Sequence, residues 1–458
     1  MHSIWAVAKN TIRQAVRLKI VAVFTVLLLV LLPVMGSAMT GDGTLKGRLQ
    51  TFVSYGLSLT ALLLSLLTIA VSIYSLTSDL TQCQIYTVLT KPIRRFELII
   101  GKLLGVIVLD TVLLFFFAGL IYAITLAIPR FSKPSPEQLA QANNEFYTAR
   151  ASLVPADVDV SKEVEEKFKK GIKDGILPQQ AATDRRLYND VITSLTIEAQ
   201  KDKRSAVPAS ELVWNFNNVK PAQSQQNLFL RFKYDVSVNP PDLKITGKWV
   251  VGDIRQYGKK VKTPVYSFQG RELIRTFHEL QIPADAVAED GYLAVVFFND
   301  SQENNTVVIF PQEDGLEILY KADSYTWNFV RATLLIFFRL VFFACLGVLS
   351  ATFLSFPVAI MLCVVVFFTG TISGFILDSF DTLNENVGVI YYYTVRPLIQ
   401  LLPQFDRSNP SDYLVPSKLL TWSLVVKTGL SMVVIKSVLL FFISLLIFAY
   451  KEIAKVII

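Results

Sequence analysis

Six apolar runs, each close to the length needed to cross a hydrocarbon layer, constrain this chain more than any other feature. A run of about 20 apolar residues spans the hydrocarbon core as a helix. The candidates are 20–39, 52–76, 99–128, 329–349, 356–376 and 430–450. Between the third and fourth lies a polar stretch of different character. The chain is therefore read as about six transmembrane helices with an inserted domain. The first run follows basic residues and ends near Gly36-Ser37-Ala38. It is too long for a signal-peptide core and a second run follows at once, so it is expected to stay as a span.

Charge separates the two parts. Residues 130–323 carry 25 Lys and Arg against 27 Asp and Glu, whereas the remainder holds 19 against 10. The formal excess of +7 thus belongs to the flanks of the apolar runs, which is the positive-inside pattern and not that of a nucleic-acid binder. Lys9, Arg13, Arg17 and Lys19 precede the first run, Lys91, Arg94, Arg95 and Lys102 follow the second, and Lys451 and Lys455 close the last. Both termini are expected inside and the polar domain outside. The segment 387–402 (VGVIYYYTVRPLIQLL) is a rival seventh span. Its three tyrosines and Arg396-Pro397 favour an interfacial or re-entrant helix on the outer side.

The boundaries read as 1–128 for the first membrane part, 129–326 for the extracytoplasmic domain and 327–458 for the second membrane part. Within the outer domain, 135–206 has helical patterning, with starts at Pro136-Glu137 and Ser161 and a third helix over 178–203. Residues 207–322 read as strands. Leu228, Leu230, Phe232, Tyr234, Val236 and Val238 alternate with polar residues, which is the period of a half-buried strand. Further strands are expected at 245–251, 273–280, 292–299, 306–310 and 316–320, together suggesting an antiparallel β-sandwich. The fold class is thus membrane all-α with an inserted extracytoplasmic α+β domain.

Three cysteines, Cys83, Cys345 and Cys363, all lie outside the polar domain, and the histidines are His2 and His278. No disulfide is expected in that domain, and no metal-ligand spacing or Ser-His-Asp set is present. Nor does the sequence contain a G-x-x-x-x-G-K-[ST] phosphate loop. No catalytic, cofactor or metal residue is assigned.

The N-terminal stretch is amphipathic, with Ile4, Val7, Ala8, Ile12, Ala15 and Val16 on one helical face and Lys9, Arg13 and Arg17 beside it. An interfacial helix is expected. The segment 78–98 starts as a short helix with Leu80, Ile85, Val88 and Leu89 as apolar contacts and Pro92 as its stop. Such a helix fits a groove on a cytoplasmic partner. Two charges fall inside apolar runs at similar depth from opposite ends, Asp110 and Arg339. Because intramembrane charges are usually paired or line a cavity, an Asp110–Arg339 pair is expected. Lys436 is near enough to the end of its run to snorkel.

Four segments resemble one family. YTVLTKPIRRFELIIGKLLG (86–105), TIRQAVRLKI (11–20), LSATFLSFPVAIMLCVVVFFTG (349–370) and FAYKEI (448–453) are similar to ABC-2 type transporter permeases. The likeness is to the branch of gliding-motility and nitrous-oxide-reductase accessory permeases. Where that branch often has Glu and, five residues on, Thr, this sequence has Asp79 and Gln84. The resemblance implies ATPase coupling through Asp79, Gln84, Ile85, Val88, Leu89, Lys91, Pro92, Arg94 and Arg95. It implies a separate ABC ATP-binding subunit holding ATP and magnesium, a second permease subunit, and a bacterial plasma membrane location. An exporter follows from the family. The alternative is a complex that passes ATPase-driven motion to an extracytoplasmic partner without transport. A membrane enzyme or a carbohydrate-binding receptor is a third reading.

Overall fold

The computed structural model describes residues 2–81, 94–156, 158–182, 185–219, 227–256, 262–312, 315–380 and 394–450. They form two compact units, one of residues 1–149 with 323–458 and one of residues 150–322.

The first unit is a helical bundle. It opens with α1 (His2–Arg17), α2 (Lys19–Ala38), α3 (Leu45–Thr81), α4 (Arg95–Ser132) and α5 (Pro136–Glu145). After the inserted unit come α8 (Tyr325–Phe353), α9 (Phe356–Thr371), α10 (Ser373–Phe380), α11 (Val395–Leu401), α12 (Ser411–Leu414), α13 (Trp422–Gly429) and α14 (Val438–Tyr450). Among the described residues, five helices are long and apolar enough to cross a membrane: Lys19–Ala38, Leu45–Asp79, Arg95–Ser132, Tyr325–Phe353 and the continuous stretch Trp422–Tyr450.

The central pair is α3 and α8, the most buried of the five. Hydroxyls on α3 bond back to their own helix: Ser65 donates to the Ala61 carbonyl at 2.5 Å, Thr68 to Leu64 at 2.8 Å and Thr77 to Ile73 at 2.8 Å. Self-satisfaction of this kind lets polar side chains lie in an apolar setting. A Cβ on Gly347 of α8 would fall 1.8 Å from the Ser72 hydroxyl, so a glycine is what lets the two backbones approach.

Two spans differ from the sequence expectation. The last helix begins at Trp422, where the Thr421 hydroxyl accepts from the Leu424 N–H, and passes through a π-helical stretch over Leu430–Ser437. Within that stretch Lys436 donates to the Leu402 carbonyl at 2.7 Å. The fifth run is broken. Helix α9 is only 16 residues long and ends at Thr371, and α10 restarts at Ser373. The Asp406 carboxylate accepts from the Ser373 hydroxyl and the Gly374 N–H at the restart, and the Phe405 N–H donates to the Gly370 carbonyl at 2.9 Å. Backbone interrupted in this way needs protein partners at membrane depth, and 403–412 supplies them. Of the segment 387–402, residues 387–393 lie outside the described residues, and the rest holds α11.

The second compact unit spans 150–322. Helix α4 runs on to Ser132, and α5 packs with the bundle. Lys46 pairs with Glu145 at 2.5 Å, and the Ser417 hydroxyl donates to the Glu145 carbonyl at 2.7 Å. Inside 150–322 lie α6 (Ser161–Lys173) and α7 (Arg185–Lys203). Strand β1 (Thr148–Leu153) leads into the unit, where it joins a four-stranded sheet of order β1-β11-β4-β8, with β4 at Leu228–Phe232, β8 at His278–Ile282 and β11 at Leu316–Ser324. A second sheet has the order β3-β9-β6-β7, formed by Ser210–Phe216, Leu293–Asn299, Lys244–Gly252 and Tyr266–Leu273. A three-stranded sheet of Ser205–Ala206, Val308–Ile309 and Asp235–Val236 completes it. The β4–β8, β4–β11, β3–β9, β6–β9 and β6–β7 pairs are antiparallel.

All three sheets contribute to one apolar core. At its centre Trp249 is fully buried, with the rings of Phe232 and Phe297 centred 4.5 and 4.9 Å away. The expected strand over 273–280 is instead two strands joined by a turn. Arg275 there has φ of 61°, and the Thr276 hydroxyl donates to the Leu273 carbonyl. The strand at 210–216 escaped the sequence reading although Leu212, Trp214 and Phe216 carry the alternation.

Candidate functional site

The polar centre of the bundle lies where α1, the end of α3 and the start of α4 meet. Lys102 on α4 is almost wholly buried, and its Nζ lies 2.5 Å from Asp79 Oδ2 on α3. The same ammonium donates to the Ser75 carbonyl at 2.6 Å and to Gln14 Oε1 at 3.3 Å. Gln14 Nε2 in turn donates to Asp79 Oδ1 at 3.4 Å. Three helices therefore share one closed polar network. Burying a charge is tolerated when it is paired and hydrogen-bonded in this manner.

Helix α1 reaches that network because α4 presents two glycines to it. A Cβ on Gly101 would lie 2.6 Å from Val7 Cβ, and one on Gly105 would lie 2.7 Å from Thr11 Cβ. A Gly-x-x-x-Gly spacing puts both on one helix face, where close helix packing is favourable. Val7, Ala8, Thr11 and Ala15 are buried, whereas Val16 is largely exposed. The inward face is thus turned relative to the expected stripe, with Thr11 inside because its hydroxyl bonds to the Val7 carbonyl at 3.0 Å. The Gly101-x-x-x-Gly105 spacing was the available sequence signal for this packing. Lys102, which the sequence suggested only as a topology-setting charge, is the pivotal cation.

Of the coupling residues, Asp79 closes α3 within this network. Gln84, Ile85, Val88, Leu89, Lys91 and Pro92 lie outside the described residues. Arg94 is the N-cap of α4, its N–H donating to the Glu97 carboxylate at 3.1 Å. Arg95 donates to the Ala449 carbonyl at 3.0 Å and the Phe448 carbonyl at 3.4 Å, tying the start of α4 to the last turns of α14. A cation over orphan carbonyls near a helix C-terminus is favourable.

Asp110 and Arg339 are not brought together. Asp110 on α4 is buried and neither carboxylate oxygen has a hydrogen-bond partner. The neighbouring Thr68 hydroxyl is committed to Leu64. Arg339 instead lies on the face of α8 toward α9. Its guanidinium carbon is 4.7 Å from the Phe367 ring centre and 4.6 Å from that of Phe405, and Nη2 reaches Thr371 Oγ1 at 3.4 Å. Equal depth was legible in the sequence, but the direction in which each side chain leaves its helix was not. Arg339 borders a cavity of about 360 Å³ between α3, α8, α9 and 405–412.

Among the described residues, no group of His, Cys, Asp and Glu is arranged to hold a metal ion. Comparison with curated proteins and with solved structures finds no match. The family comparison does find one, and it covers the region in which α1, α3 and α4 meet. Residues 5–133 match the ABC-2 family transporter protein, and this similarity supports an ABC-2 permease.

Proposed function

We propose that the chain is the transmembrane permease subunit of an ATP-driven ABC transporter. The observation that carries this is the ABC-2 match over 5–133, which includes the whole Asp79–Lys102–Gln14 network. The family implies a separate ABC ATP-binding subunit, which would hold ATP and magnesium, and a second permease. In this reading the segment 78–98 meets the ATPase on the cytoplasmic side. Its two ends are α3 and α4, locked together by Lys102 and Asp79. Motion imposed on the segment would therefore reach both helices at once instead of being absorbed between them. Both termini are cytoplasmic and 129–326 is extracytoplasmic in a bacterial plasma membrane. The branch is that of gliding-motility and nitrous-oxide-reductase accessory permeases, and the direction is export.

The decisive experiment is co-purification of the full chain with a Walker A ATPase encoded beside it, followed by ATPase assay in nanodiscs. A stable complex whose ATPase activity depends on this chain supports the reading. An ATPase that neither binds nor responds to the chain overturns it. Leu89→Asp should uncouple the complex by placing a charge in an apolar groove. Labelling of Cys83 from outside in intact cells would refute the orientation.

A second reading keeps the ATPase and drops transport: the complex passes motion to an extracytoplasmic partner. It is favoured by the inserted unit having an apolar core of its own, as a docking module would. Substrate flux in sealed vesicles separates the two.

A further inference from the structure

The cavity beside Arg339 has the chemistry of a ligand site. Its floor and walls are apolar where Leu57, Ala61, Leu335 and Ile336 face it. The guanidinium of Arg339 lies between the rings of Phe367 and Phe405. Beyond the long contact to Thr371 its donors are uncommitted, and Nε is buried without a partner. Two carboxylates line the same cavity, yet both are engaged elsewhere. Asp406 accepts from the Ser373 hydroxyl and the Gly374 N–H at the helix restart. Asp412 accepts from the Asn409 amide at 3.1 Å. What remains is one intramembrane cation with spare donors, beside a broken helix. Charged side chains placed like this in membrane proteins mark ligand pathways, and interrupted helices line binding sites.

The rim indicates how a ligand would enter. Leu62 on α3 and Phe368 on α9 border the cavity and expose their side chains on the outside of the bundle, where acyl chains would contact them. We propose that this cavity binds an anionic amphiphile. Its carboxylate or phosphate head pairs with Arg339, and its alkyl part lies along Leu57, Ala61 and Leu335. A guanidinium suits such a head because its fork of N–H donors matches two acceptor oxygens. A small inorganic anion would leave the apolar walls uncovered. The site stands without any ATPase partner, so its failure would leave the permease reading untouched.

The test uses the purified full chain in neutral detergent and three diazirine probes: dodecanoate, dodecyl phosphate and dodecanol. Crosslinked peptides are mapped by mass spectrometry. Both anionic probes should label 57–62 and 335–339, and the alcohol should label them far less. Arg339→Gln should lower anionic labelling about tenfold or more, by loss of a charge-assisted pair. Arg339→Lys should restore part of it. Leu335→Trp keeps the charge but fills the cavity, and should lower labelling as well. Only variants with the wild-type gel-filtration profile are compared, which keeps misfolding out of the result. Equal labelling by the alcohol, or wild-type labelling of either Arg339→Gln or Leu335→Trp, overturns the proposal. The source of the amphiphile is then read in phosphatidylcholine nanodiscs with and without phosphatidylglycerol. Competition by the anionic lipid identifies bulk lipid as the occupant, and its absence identifies a single-chain acidic amphiphile.

Discussion

Lys102 Nζ and Asp79 Oδ2 lie 2.5 Å apart with both side chains shielded from solvent, and this contact joins the two helices that flank the segment 82–93. Removing one member strands the other, which costs about 3–5 kcal/mol for a buried pair. Lys102→Met should therefore destabilise the purified chain strongly in detergent melts. The double change Lys102→Met with Asp79→Leu should recover much of that loss, since two apolar groups need no partner. Strict additivity in the double-mutant cycle would show that the pair is not energetically coupled.

Helix α1 should leave its seat when the glycines of α4 are filled. Gly101→Val places methyl groups where Val7 and the Ile4 carbonyl now lie. A cysteine introduced at Ala8, fully buried in the wild type, should then react several-fold faster with a water-soluble maleimide. An unchanged rate would mean that α1 is held by other contacts.

Asp110→Asn and Arg339→Gln should be independent. No contact joins the two residues, and sites without shared partners usually add to within about 0.5 kcal/mol. Asp110→Asn alone should be well tolerated, because the native carboxylate oxygens have no hydrogen-bond partner to lose. A coupling clearly above that limit in melts would restore the direct pair as the better description.

The inserted unit should fold when expressed as 147–324. Its core centres on Trp249, so Trp249→Ala should cost about 3–5 kcal/mol in urea unfolding. A fragment that shows no cooperative transition would deny it an independent core.

Acid should weaken that fragment in a defined way. Asp253 and Asp290 flank Arg255, and hydrogen bonds from its guanidinium hold both carboxyls below their usual range. A carboxyl lowered by folding stabilises the fold above its unfolded value, about 3.9, and loses that contribution as pH falls through the folded value. Between about pH 4 and 2 the wild type should lose stability more steeply than Asp253→Asn. Parallel curves would remove this triad from the acid response.

Legibility in the sequence followed the range of the interactions. Apolar runs announced spans because a helix in lipid must satisfy its own backbone, a local requirement. The alternation over 228–236 announced strands for an equally local reason, and Pro136-Glu137 marked the start of α5. The break at Ile372 was not visible, since it depends on Asp406 and Phe405, more than 30 residues away, supplying bonds to the restarted helix. Depth put Asp110 and Arg339 level, but side-chain direction around each helix depends on neighbours, and tertiary packing sent them to different surroundings. The same holds for Gln14, Asp79 and Lys102. Each reads singly as a helix end or a topology charge. Only the close approach of α1 to Gly101 and Gly105 closes them into one network, because hydrogen bonds and ion pairs act over a few ångströms and the chain must first bring the three helices together.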